Sequence, residues 1–257
     1  MSVTLHGKKI LITREEKQAK EFSEKVLQYG GTPVEVPLLR ISCKDIPDKR
    51  QVFMNLHRYK WVFFTSANGV ECFFKLAKKY KCTSDVLSEC KLAAVGHKTA
   101  SCLSDHGYEA HFIPSTYNAE VMANEFTANH SKMEEPILLI RGNRSRDVLP
   151  VWFNELEITF DQLEVYETAY NFQAETELNR VIQREKLDFI TFTSPSTVEA
   201  FFEMKKNQIT SYPEFVCIGT TTSERAAELG IKHTLTPENF TIDGMLNEIS
   251  NYLNERG

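Results

Sequence analysis

No stretch of this 257-residue chain approaches the roughly 18 consecutive apolar residues that a membrane-spanning helix requires, so no membrane partner is expected. The opening MSVTLHGKKILITRE brings charge immediately after four apolar residues, unlike an export signal. The six cysteines (Cys43, Cys72, Cys82, Cys90, Cys102, Cys217) have neither CxxC nor CxxxC spacing, and the seven histidines add no ligand spacing to them, so no metal site is expected. They read as reduced thiols of a cytoplasmic protein, with Cys72, Cys102 and Cys217 as small core residues. A net charge of −5 and the lack of a basic stripe argue against a nucleic-acid partner. An anionic small molecule stays open, because helix N-termini bind anions without adding formal charge. There is no GxGxxG and no GxxxxGK[ST], so no nucleotide cofactor has a motif behind it; GxSxG, HExxH and paired-carboxylate motifs are missing too.

The motifs that are present occur twice. FFTSANGVECFF at 63–74 returns as TFTSPSTVEAFF at 191–202, with Thr65 and Thr193 separated by 128 positions. AVGHKTA at 94–100 returns as CIGTTTS at 217–223, an offset of 123, and ILITR at 10–14 returns as ILLIR at 137–141, an offset of 127. Three similar offsets in different segments imply two copies of one unit, and paired units usually hold a ligand in the cleft between them.

Short β-branched or aromatic runs alternate with stretches of helical period. Strands are expected near 9–13, 32–35, 61–64, 91–94, 109–113, 136–140, 158–165, 189–192, 215–218 and 232–235, with helices between them. Several of these strands are apolar throughout, and the alternation implies α/β architecture with right-handed crossovers and parallel sheets. Gly30, Gly107 and Gly230 follow helices at C′ positions. The Thr-Ser pairs 65–66 and 193–194 and the threonines 220–222 stand where helices begin, and Pro195 suits a first helical turn. The repeat fits either a tandem split at 130/131 or a discontinuous one that crosses over near 38–43 and 166–172. VPLLRIS and LEVYETAY hold matching places there and read as extended connectors.

Each TS element ends a buried strand and opens a helix, where a parallel sheet places its ligands. Backbone donors and the hydroxyls of Thr65, Ser66, Thr193, Ser194 and Ser196 could hold an anion there; the plainer role, helix capping, contributes about 1 kcal/mol per hydroxyl. Gly96 and Gly219 would let a ligand approach the backbone closely. LLIRGNRSRD at 138–147 gathers Arg141, Arg144 and Arg146, forked donors suited to carboxylate or phosphate. Tyr166, in a connector, could give a proton to a leaving oxygen or could simply pack at a hinge.

In order, ILITR, FFTSANGV, AVGHKTA, YNAE at 117–120, LLIRGN, LEVYET, FTSPSTVEAF and CIGTTTSERAAELG resemble the uroporphyrinogen-III synthase family over nearly the whole chain. The resemblance implies two flavodoxin-like domains, each a doubly wound parallel sheet, joined by a two-stranded extended connector. Domain 1 would be 1–38 plus 171–257 and domain 2 would be 42–166, with connectors at 38–42 and 166–171. It also implies a monomer that closes linear hydroxymethylbilane to uroporphyrinogen III with ring D inverted, using no metal or organic cofactor. Tyr166 matches the family tyrosine thought to help the hydroxyl leave. Ser66, Thr99, Asn118, Arg141, Ser194, Ser196, Thr221 and Thr222 take substrate-contacting positions. The first TS loop departs from many relatives by carrying Asn68-Gly69. A two-lobed binding protein for an anionic metabolite and a two-domain cleft transferase fit the same architecture.

Overall fold

Four-residue strands that are apolar at every position need a helical layer on each face, and alternation along them shows how the two layers share them. A computed structural model describes residues 3–45, 50–82, 87–116, 119–129 and 136–256. Along the chain run β1 (Lys9–Ile12), α1 (Glu16–Gln28), β2 (Thr32–Glu35), β3 (Leu39–Cys43), α2 (Arg50–Met54), β4 (Trp61–Phe64), α3 (Ala67–Lys79) and β5 (Lys91–Ala94). There follow α4 (His97–Asp105), α5 (Ala119–Asn129), β6 (Ile137–Gly142), α6 (Val148–Glu155), β7 (Phe160–Tyr170) and α7 (Glu175–Arg184). The chain ends with β8 (Phe189–Phe192), α8 (Pro195–Met204), β9 (Glu214–Cys217), α9 (Thr220–Glu228) and α10 (Ile242–Arg256).

Two compact units result: residues 1–40 with 169–257, and residues 41–168. In the first, the strand order is β2-β1-β8-β9, all neighbours parallel. Leu11, Ile190 and Phe192 face a layer containing α7, α8 and α9, whereas Ile10, Ile12 and Phe189 face α1 and α10. Two buried hydroxyls stitch β1 to β8: Thr13 donates to the Thr191 carbonyl (2.7 Å) and Thr191 to that of Leu11 (2.8 Å). In the second unit the order is β3-β7-β6-β4-β5, with β7, β6, β4 and β5 parallel. Val62, Phe64, Leu138 and Ile140 pack against α3 and α4; Trp61, Phe63, Ile137 and Leu139 pack against α5 and α6.

The strands expected at 109–113 and 232–235 shrink to single parallel bridges, Ala93↔Phe112 and Val216↔Leu235, at the open edge of each sheet. β3, expected as a connector, is a short strand beside β7. There the Lys44 N–H donates to the Val165 carbonyl and the Asn171 N–H to that of Leu38. The expected left-handed glycines are found at Gly30, Gly107 and Gly230.

One expectation fails outright. Cys43 and Cys72 form a disulfide, with Cα atoms 5.1 Å apart, although all six cysteines were expected as thiols. Cys72 is buried as foreseen, but it lies in α3 where the end of β3 reaches it, a tertiary contact that no local spacing announces. Burial pushes the Cys90 thiol up to about 11 and that of Cys217 up to about 12.

Phe63 is fully buried and its ring packs edge-on against Trp61, Phe126 and Phe153. Phe63→Ala should cost about 3–5 kcal/mol of stability, read from urea unfolding. A loss below about 1 kcal/mol would show that this aromatic layer does not hold the second unit together.

Candidate active site

Parallel strands all end at the same edge, and helices leave that edge with their first N–H groups unpaired along the axis. In the second unit the ends of β4 and β6 and the irregular middle of β7 bring Ser66, Arg141 and Tyr166 to this edge. Ser66 is the N-cap of α3: its hydroxyl accepts from the Gly69 N–H (3.1 Å) and donates to the Tyr166 hydroxyl (3.0 Å).

Tyr166 reaches Ser66 because β7 breaks register. Arg141 pairs with Glu164, but Gly142 pairs with Tyr166, so Val165 is the extra residue of a bulge. Leu163, Val165 and Tyr166 consequently all pack against the α3 layer, which strict alternation would forbid. The half-buried ring lies directly on Gly142. A Cβ at that position would meet the ring carbon Cζ at 2.3 Å, so only glycine fits.

Arg141 is buried, and its forked donors are already engaged. Nη1 donates to Gln162 Oε1 (2.7 Å) and faces Asp147 Oδ1 (2.8 Å), and Nη2 donates to the Ser145 carbonyl. Arg141 therefore braces the turn after β6, and its buried Nε alone is without a hydrogen-bond partner. Arg146 pairs with Glu120 (2.9 Å). A cavity of about 250 Å³ opens here, lined by Thr65, Val95, Ala119, Arg141, Ser145 and Arg146 among others. Thr65 sends its hydroxyl to the Ile140 carbonyl (3.1 Å) instead of capping a helix. Thr99 is buried in the first turn of α4.

The remaining candidates stand at the corresponding edge of the first unit. Ser194 caps α8 in a reciprocal box with Thr197, Pro195 is the first helical residue, and Ser196 follows, half-buried. Gly219, not a threonine, is the N-cap of α9, so Thr220–Thr222 lie inside the helix. Thr221 is exposed and Thr222 is buried. Arg14, at the end of β1, bonds Gln18, and burial lowers its pKa. Asn118 lies outside the described residues.

Sequence reasoning missed two positions. Gly142 sets where Tyr166 sits, a role hinted at only by the strand-end glycine in LLIRGN. Phe240, largely exposed, lays its ring over Gly219 with atoms 3.1–3.3 Å from where a Cβ would stand. That glycine therefore admits an aromatic ring of the chain itself, where the sequence suggested a ligand. A larger open cavity, about 1020 Å³, lies at the opposite edge of the first unit, lined by Lys8, Asp188, Phe189, Glu214, Tyr252 and Arg256 among others. It holds none of the candidates, and ligands of parallel sheets bind beyond the carboxyl ends of the strands.

Known proteins are similar to this chain in sequence and in fold. The family model HEM4, described as Uroporphyrinogen-III synthase HemD, matches residues 20–247. The uroporphyrinogen-III synthase of Chlorobaculum parvum is 30% identical over 239 residues, 91% of this chain and 94% of that protein. The porphyrin biosynthesis protein HemD of Ruminiclostridium josui is 29% identical over 252 residues, 97% of this chain but 49% of its own length, so the chain spans about half of that relative. In fold, the chain is similar to the uroporphyrinogen-III synthetase of Helicobacter pylori (TM-score 0.67, 19% identity, 96% of this chain and 99% of that one). A mutant uroporphyrinogen III synthase of Thermus thermophilus is alike to a similar degree (TM-score 0.65, 17% identity, 96% and 99%). The ordered motifs, the α/β fold with its parallel sheets and a family match running from residue 20 to residue 247 agree: the chain belongs to the uroporphyrinogen-III synthase family of cyclising lyases.

Proposed function

We propose that this chain closes linear hydroxymethylbilane to uroporphyrinogen III, and that Tyr166 is its proton donor. The observation that carries this reading is the phenol fixed at a strand-end edge by Gly142 and Ser66 in a chain of this family. Tyr166 gives a proton to the hydroxyl on ring A, which leaves as water while the pyrrole nitrogen pushes electrons to form an azafulvenium cation. Ring D attacks that cation through its already substituted carbon and forms a spiro intermediate. Cleavage of the bond between ring D and the methylene bridging it to ring C frees ring D to turn over. Reclosure through its open carbon, with loss of the proton there, completes the macrocycle. The net change is the loss of one water.

Spontaneous closure gives the uninverted type I isomer, so holding one conformation of a flexible octacarboxylate is the main task. Ser66, Thr99, Asn118, Arg141, Ser194, Ser196, Thr221 and Thr222 are read as substrate-contacting positions. The buried Thr99 and Thr222 act through their helix N-termini, where the helix dipole favours carboxylates. We further read both units as flavodoxin-like domains, 1–38 plus 171–257 and 42–166, with connectors at 38–42 and 166–171. The order β2-β1-β8-β9 and the order β7-β6-β4-β5 are the same doubly wound pattern with the chain entering at different points, which supports this. A cytoplasmic monomer without nucleic-acid or membrane partners completes the reading. The net charge of −5 supports it, and no described helix is long and apolar enough to cross a membrane. The Cys43–Cys72 bond alone runs against a reducing compartment.

Incubation with freshly made hydroxymethylbilane, oxidation and chromatographic separation of the isomers should yield mostly type III uroporphyrin. Type I alone, at the uncatalysed rate from folded protein, would overturn the reading. Tyr166→Phe should lower turnover at least about tenfold while leaving the protein folded, and full activity in that variant would remove the phenol from the mechanism. Gly142→Ala should destabilise by about 1–3 kcal/mol through the clash with the ring. Less than half of that cost should remain in a Tyr166→Ala background; an unchanged cost would mean that the ring is not held by Gly142.

A further inference from the structure

The duplication places a carboxylate between two helices in each unit, and the two copies satisfy it differently. In the first unit, Glu199 of α8 receives the guanidinium of Arg225 from α9 (Nε to Oε1, 3.0 Å). By the repeat offsets of 128 and 123, the same places in the second unit hold Glu71 of α3 and Cys102 of α4. Where the first unit has an arginine, the second has a thiol. One helical turn further on, at the C-cap of α4, His106 turns its imidazole to the same carboxylate. Cys102 Sγ lies 3.6 Å from Glu71 Oε1, and His106 Nε2 lies 3.8 Å from Glu71 Oε2. One ligand atom from each of the three residues falls within 4.8 Å of the others.

The two carboxylate separations, one at each oxygen of Glu71, are close to the edge of a coordination tetrahedron, and the sulfur and the nitrogen stand within 4.8 Å of each other, a gap that small side-chain rotations would close around an ion. Bonds of about 2.0–2.3 Å from zinc to oxygen, nitrogen and sulfur set their ligand atoms about 3.3–3.7 Å apart. A thiol and an imidazole four residues apart stand on one helix face, and α3 supplies the third donor. The His106 ring is held in place by stacking on Phe74, with centroids 4.2 Å apart. Cys102 is largely buried, whereas Glu71 and His106 remain partly open to solvent, leaving a path for an ion and for a fourth ligand.

We propose that Glu71, Cys102 and His106 bind a Zn²⁺ ion that joins α3 to α4, supplying the positive charge that Arg225 supplies between α8 and α9. Water takes the fourth position. One soft sulfur, one nitrogen and one carboxylate suit zinc, whereas calcium and magnesium call for oxygen ligands throughout. The two charged ligands, thiolate and carboxylate, neutralise the ion, and binding releases the thiol proton. The expectation of no metal followed spacing along the chain, which omits the carboxylate that α3 contributes. The site is independent of the proposed reaction, and its test does not use turnover.

The test is titration of chelator-treated, full-length protein with Co²⁺, without reductant and under anaerobic conditions. One equivalent should produce visible bands of tetrahedral intensity and a near-ultraviolet thiolate-to-cobalt charge-transfer band, and Zn²⁺ should bleach both. Cys102→Ser should abolish the charge-transfer band, whereas Cys82→Ser should leave it intact. His106→Ala and Glu71→Gln should each weaken binding at least about tenfold. Glu71→Gln alters a partly exposed side chain, so it gives a reading even where Cys102→Ser fails to fold. No charge-transfer band in the wild-type protein, a band that survives Cys102→Ser, or unchanged affinity in Glu71→Gln would overturn the proposal.

Discussion

Two strands paired in parallel need a crossover that carries the chain back to the starting edge, and here helices make most of those returns. The placement of the candidate active site follows from that constraint. It forces the parallel strands of each sheet to finish at one edge, where the loops after β4, β5 and β6 collect in the second unit and those after β1, β8 and β9 in the first. It also forces helices onto both faces, so the central strands β4, β6 and β8 are buried at every position. Most of the candidate site residues thereby fall at strand ends and helix starts, with Tyr166 on the bulge inside β7 as the exception. Ser66 and Ser194 hold equivalent places: each stands two residues past a buried strand and caps the helix that follows.

Tyr166 departs from this regularity in a productive way. A strand side chain normally alternates between faces, and an unbroken β7 would carry the phenol away from α3. The bulge at Val165 turns it towards Ser66, and the missing side chain at Gly142 makes room for the ring. Asn143 then fixes the strand beyond the bulge, accepting from the Thr168 N–H at 2.9 Å. The Asn143 N–H also donates to the Tyr166 carbonyl, so the chain is held at and beyond the tyrosine and, under the proposed reading, its hydroxyl is oriented before a ligand arrives.

Repetition made much of the fold legible. The all-apolar strands, the serine caps, Pro195 and the C′ glycines are local signals, and each is found where the chain pattern puts it. The features that escaped are contacts between elements far apart in sequence. Cys43 meets Cys72 because β3 runs beside β7 and ends at α3. Phe240 covers Gly219 from the segment before α10, and Gly142 matters only because a bulge in another strand brings a ring onto it. Arg141 was legible as a strand-end cation but not as the brace of its own turn, since Gln162 and Asp147 come from either side of it.

The two copies are alike in scaffold and unlike in chemistry. At the repeat offset of 127, the partner of Tyr166 is Leu39, buried against the first unit's core, and the partner of Gly142 is Glu15. Glu15 caps α1 with its own carboxylate, accepting from the N–H groups of Gln18 (3.0 Å) and Lys17 (3.1 Å). A helix start already occupied by an acid repels a second one, so under the proposed reading that corner would not hold a substrate carboxylate. In the second unit the corresponding helix, α6, also has an acid at its N-cap, but Asp147 makes no side-chain cap bond and pairs with Arg141, and residue 142 is a glycine with a phenol laid on it. Under the proposed reading, duplication supplied two sets of helix N-termini for gripping anions, and divergence at this one corner confined proton donation to a single unit. A reaction that must protonate one hydroxyl and hold the rest of the chain still needs that asymmetry, because a second proton donor of the same kind would have no leaving group to serve.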